Sequence, residues 1–179
     1  MIDSLGPYRN GVLYQDSSIP GVMLPRVFDE FTVVAFSGDS LMFVGNATSG
    51  EVEVYSVASQ PRKIDEFVLP LGRGKVTTAQ LEFERGRLAE RWAVSRTILE
   101  KLSRGTRIPA FANLIGGREG DELWVKEFPT EPRSTDIWFA FRADGTPLCR
   151  REMPSARDIL EMGMRSAIAV HVDSLGIEQ

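Results

Sequence analysis

One phrase occurs twice in this chain. Residues 38–46 read GDSLMFVGN and residues 120–128 read GDELWVKEF, so the two Gly-Asp pairs stand 120 − 38 = 82 residues apart. Self-similarity of this kind marks a repeated supersecondary unit that buries its apolar face against its neighbours. A chain built this way has few architectures open to it.

The text around each copy has the same order. In the second copy, AFANLIGGREG is a short apolar run ending in glycines, and DELWVKEF puts Leu123, Val125 and, less cleanly, Phe128 on one side with Trp124 on the other. That spacing predicts strands. PTEPRST reads as a loop. DIWFAFRADGTPLCRREMP reads as strand, turn, strand, because Asp144-Gly145 between apolar runs supplies the positive φ of a hairpin turn. In the first copy FTVVAF, SLMFVG, EVEVYSV and RKIDEFVLP form four further strands, and both copies end in proline, at Pro70 and Pro154. Four short strands per unit, joined as a meander, suggest a propeller blade. The fold expected is all-β: a partial β-propeller with one α-helical insertion between blades. Blades are placed at 31–70 and 110–154, a remnant outer strand at 1–5, the helical insertion at 75–105 and a partial blade at 158–179. The plainer alternative is an antiparallel sheet or sandwich with chance likeness.

Between the copies the periodicity changes. Thr77 followed by Gln80 fits a capping box, and Leu81, Leu88, Trp92, Leu99 and Leu102 fall on one helical face. Gly105 and Pro109 end the pattern. The spacing predicts one helix over about 78–104, either continuous or broken near Gly86. It is expected to pack on the sheets; a lid or partner-binding helix is the sharper alternative.

Composition narrows the function. A net charge of −4 argues against nucleic acid, which selects a basic face. The basic residues from Arg85 to Arg107 are interleaved with Glu90 and Glu100, as on a solvated helix. No run approaches the roughly 18 apolar residues of a membrane span. The first residues, MIDSLGPYRNG, lack the basic start and apolar core of a signal peptide, so the chain as written is expected in the cytoplasm.

The chemistry-bearing residues are sparse. Cys149 is the one cysteine, read as a half-buried structural thiol, and His171 is the one histidine, read as structural or solvent-facing. Gly72, Gly74 and Gly105 lack the spacing of a phosphate loop. Glu119, Asp121 and Glu122 crowd one turn, but calcium needs six to eight oxygens. Trp124, Trp138 and Phe139 read as packing between blades rather than as a ligand platform. Asn46-Ala47-Thr48 has the form of a glycosylation sequon. No catalytic residue, metal ligand or cofactor is assigned.

Read from end to end, the phrases IDSLGPY, VVAFSGDSLMFVG, EVEVYSV, VTTAQLEFERGRLAE, IPAFANLI, GDELWVKEF, IWFAFRADGTPL and DILEMGMRSAIAVHVDSLGIE form a pattern. The chain resembles the bacterial six-bladed β-propeller proteins of largely unassigned function, relatives of the NHL-repeat and TolB-like propellers. The order of the phrases carries the likeness, as does a helix placed between two blades. The resemblance implies a C-terminal half, with complete relatives periplasmic or at the cell surface. An open half-ring leaves sheet edges unprotected, so a homodimer closing the ring is one expected state. The function expected is a non-catalytic binding or scaffold module for a protein, peptide or glycan. The alternative is a fragment of a metal-dependent, lactonase-like propeller hydrolase or lyase.

Overall fold

The computed structural model describes residues 13–15, 23–25, 28, 31–71, 74–92, 100, 107–118, 120–155 and 158–170. Strand Leu13–Gln15 (β1) pairs antiparallel with Met23–Pro25 (β2), a hairpin not foreseen from the sequence. Thr32–Ser37 (β3), Leu41–Asn46 (β4), Glu51–Ser56 (β5) and Arg62–Val68 (β6) form a four-stranded antiparallel meander in chain order. Helix Thr78–Trp92 (α1) follows. Phe111–Gly116 (β7), Glu122–Glu127 (β8), Thr135–Arg142 (β9) and Pro147–Pro154 (β10) make a second meander of the same order. Asp158–Met162 (β11) and Ala167–Val170 (β12) close the described chain as a hairpin. The described residues are therefore mostly β, with one helix between two four-stranded antiparallel sheets.

Local chemistry explains the turns. The Asn46 side-chain oxygen accepts the N–H groups of Thr48 and Ser49, each at 2.9 Å, and so closes the bend between β4 and β5. At the β9–β10 turn Gly145 takes φ +80°, its N–H donates to the Arg142 carbonyl at 2.9 Å, and Asp144 accepts from the Thr146 N–H. The bond from the Thr146 N–H is the main reason the Asp144 carboxyl stays below its ordinary range.

The two meanders match strand by strand, but not on the register of the repeated phrase. The first hairpin turn has three residues, 38–40, between the paired Ser37 and Leu41. The second has four, 118–121, between Gly117 and Glu122, whose main chains are hydrogen-bonded. Strands β4 and β8 are therefore offset by 122 − 41 = 81, not 82. Side chains alternate with period two, so one residue of slip changes every face. Phe43 corresponds to Trp124 rather than to Val125. Both outer strands carry a one-residue bulge at the matching place, between Lys63 and Asp65 in β6 and between Pro147 and Cys149 in β10.

This register makes the packing head-to-tail. Ala35, Phe43, Val52 and Val54 of the first sheet pack on Leu123, Val125 and Phe141 of the second. The second sheet turns the face bearing Trp124, Trp138 and Ala140, the equivalents of Phe43, Val52 and Val54, onto Met162 and Ile159 of β11. Each fully buried large apolar side chain contributes about 1.5–3 kcal/mol, so these two interfaces carry most of the fold.

The capping box at α1 is present: the Gln80 N–H donates to Thr77 Oγ1 at 3.3 Å and the Thr77 N–H donates to Gln80 Oε1 at 3.0 Å. Of the two alternatives the continuous one holds at Gly86, because a lone glycine weakens a helix without removing a hydrogen bond. Leu81 and Leu88 pack on Phe28, Ile108 and Phe128. The remainder of the predicted helix, at 93–99 and 101–104, lies outside the described residues, as do the strand placed at 1–5 and residues 171–179.

Candidate functional site

The first strands of the three successive units, β3, β7 and β11, lie side by side. Gly116 packs directly on the main chain of Phe36 and Ser37. Gly117 forms a parallel bridge with Met162, and the Arg118 N–H donates to the Met162 carbonyl at 2.9 Å. The buried Ser37 hydroxyl lies 2.7 Å from the carbonyl oxygens of both Gly117 and Gly120, tying the end of β3 to the turn after β7. Its single proton is shared between the two acceptors.

Where these strands end, they enclose an open groove of about 420 Å³. Ala35 and Phe36 line it from β3, Leu114 and Ile115 from β7, and Leu160 and Glu161 from β11. Its lining mixes apolar side chains with main chain at Gly38, Gly116 and Gly117, and its rim is charged. Arg118 Nε lies 3.1 Å from Glu161 Oε1, with the two side chains 62% and 38% exposed. A pair this solvated is worth at most about 1 kcal/mol, so either partner can be recruited by a ligand at little cost. Behind Gly117, the buried Glu122 keeps one carboxylate oxygen, Oε2, without a hydrogen-bond partner among the described residues.

The helix does not take part in the groove. Ile108 and Phe128, against which it packs, stand at the opposite end of β7 and β8. Glu84 on that helix is buried and held by Arg87 through two hydrogen bonds of 2.8 and 2.6 Å. The bonded carboxylate raises the affinity of the Arg87 guanidinium for its proton, and the guanidinium stands 5.9 Å from the Phe128 ring centre.

The residues singled out in the sequence are dispersed. Trp124 and Trp138 are buried between the second meander and β11, whereas Phe139 faces the first meander, so the three do not form one surface. Both indole N–H groups lack partners among the described residues. Cys149 is half-buried in the tryptophan cluster. Asp121 is exposed while Glu122 is buried, and Glu119 lies outside the described residues. Among the described residues no three His, Cys, Asp or Glu side chains converge as a metal site, and no helix is long and apolar enough to cross a membrane. His171, Gly72 and Gly105 also lie outside the described residues. The groove itself was not foreseen; its only sequence signal is the glycine pair 116–117 closing an apolar strand.

No family model, curated protein or solved structure matches this chain.

Proposed function

We propose that the chain is a sector of a β-propeller and works as a non-catalytic binding module, with the groove at the ends of β3, β7 and β11 as its ligand site. The supporting observation is that three successive units each contribute their first strand to one groove. A propeller arranges its sheets radially in this manner, and loops from several blades then converge on one ligand. The parallel bridge between Gly117 and Met162 has the strand direction that such an arrangement requires.

The lining defines the ligand class. Ile115 and Leu160 suit an apolar side chain, and Arg118 suits a carboxylate. A short peptide segment pairing an apolar with an acidic residue meets both demands.

The test is a titration of methyl-labelled protein with capped dipeptides that pair leucine with an acidic, basic or amide residue. The Leu-Asp and Leu-Glu members are expected to move the Ile115 and Leu160 methyl signals saturably. Arg118→Ala is expected to weaken them about tenfold, the value of one charge-assisted hydrogen bond. Absence of saturable shifts at those methyls across the panel would overturn the assignment.

A further inference from the structure

The turn between β7 and β8 gathers oxygens that have too few protons among them. Glu122, which opens β8, is 8% exposed, and its Oε2 has no hydrogen-bond partner among the described residues. A carboxylate buried in this way is costly unless a positive charge meets it. Arg118, four residues earlier, turns to Glu161 instead, at 3.1 Å.

The Glu122 carboxylate lies back over Gly117. A β-carbon built on Gly117 would stand 2.8 Å from Oε2, so the carboxylate occupies space that only a glycine leaves open. The carbonyl of the same glycine is one of two acceptors for the buried Ser37 hydroxyl. The Gly120 carbonyl is the other, and both distances are 2.7 Å. A hydroxyl carries one proton, so at any moment one of these carbonyls faces Ser37 Oγ with no hydrogen between them. Two main-chain carbonyls, a hydroxyl and an unpartnered carboxylate thus meet at one turn.

We infer that this turn binds a calcium ion through Glu122, Ser37 Oγ and the carbonyl oxygens of Gly117 and Gly120. The donors are all oxygen, which selects a hard cation over zinc or copper. Carbonyls on an irregular turn suit the variable geometry of calcium better than the strict octahedron of magnesium, and water completes the six to eight oxygens that calcium takes. Asp121 is exposed and takes no part. With a single carboxylate the affinity falls at the weak end of calcium sites, at about 10⁻³ M. The ion ties the end of β3 to the β7–β8 turn, whatever the groove holds.

Calcium chloride titration of nitrogen-15-labelled protein, read at the Gly117, Gly120 and Glu122 amides, tests the site, with magnesium chloride at matched ionic strength as the comparison. Wild type is expected to show saturable shifts with a midpoint of about 10⁻³ M, and a weaker response to magnesium. Glu122→Gln keeps the side-chain size and removes the charge, so it is expected to abolish saturation with unchanged circular dichroism. Asp121→Asn is expected to bind as wild type does. Ser37→Ala removes one donor and is expected to raise the midpoint, which keeps a variant available if Glu122→Gln does not fold. No saturable shift in wild type, an equal response to magnesium, saturation that survives Glu122→Gln, an unchanged midpoint in Ser37→Ala, or loss of binding in Asp121→Asn would each rule the site out.

Discussion

Gly116 lies so close to Phe36 that a β-carbon built on it would overlap the Phe36 carbonyl oxygen and stand 2.6 Å from the Ser37 nitrogen. The obstacle is the main chain of Phe36 and Ser37, which no rotamer change relieves. Gly116→Ala is therefore expected to destabilise the fold by about 3 kcal/mol, the upper end for overpacking, and to separate β3 from β7. Urea unfolding gives the magnitude. Loss of slow exchange at the Gly117 N–H, which donates to the Glu122 carbonyl at 2.7 Å, gives the location.

Gly86 is the opposite case. It lies inside α1 and a β-carbon there meets open space. Gly86→Ala is expected to stabilise the protein by about 0.5–1 kcal/mol, through lower backbone entropy in the unfolded chain. A rise in the urea midpoint with unchanged slope would show it.

Arg87 offsets a buried charge. Its removal leaves the Glu84 carboxylate unpaired, so Arg87→Leu is expected to cost about 3 kcal/mol or more. Adding Glu84→Leu removes the orphaned charge and is expected to recover most of that loss. A double-mutant cycle in urea reads the coupling directly.

Asp144 links the β9–β10 turn to pH. Its carboxyl pKa is lowered in the fold, first by the hydrogen bond from the Thr146 N–H. A depressed folded-state value means that the ionised form is favoured by folding. Its stabilising contribution is therefore complete above the unfolded-state value of about 3.9 and is lost as pH falls through the folded-state value. A carbon-13 titration of the Asp144 carboxyl is expected to have its midpoint below that of an unfolded reference peptide. Asp144→Ala should differ from wild type most at neutral pH and least in acid.

The strands were legible because their signals are local. Alternation in EVEVYSV, the Asp144-Gly145 turn and the Thr77–Gln80 cap each depend on a few neighbouring residues, and each stands where the sequence puts it. The repeat was legible as words but not as geometry. Matching the Gly-Asp pairs sets Phe43 beside Val125, whereas the longer second turn sets it beside Trp124. Nothing in the two phrases reveals that an extra turn residue falls between Gly117 and Glu122. The three-residue strands β1 and β2 are too short to show a period. The groove stayed hidden for another reason. Its lining runs from Ala35 to Glu161, and it depends on Gly116, which lets the main chain of β7 approach that of β3.

The head-to-tail stack also bears on how the molecule comes apart. The second meander has packed apolar neighbours on both faces, Phe43 and Val54 on one and Met162 on the other. Each unit contacts only its neighbours, as in a linear array, so cohesion is graded along the stack. Opening that begins at the β11–β12 hairpin strips one interface and leaves the other standing. The amide protons of β8 and β9 would then be the last to exchange, and the twin tryptophans Trp124 and Trp138 would report the first step by their fluorescence.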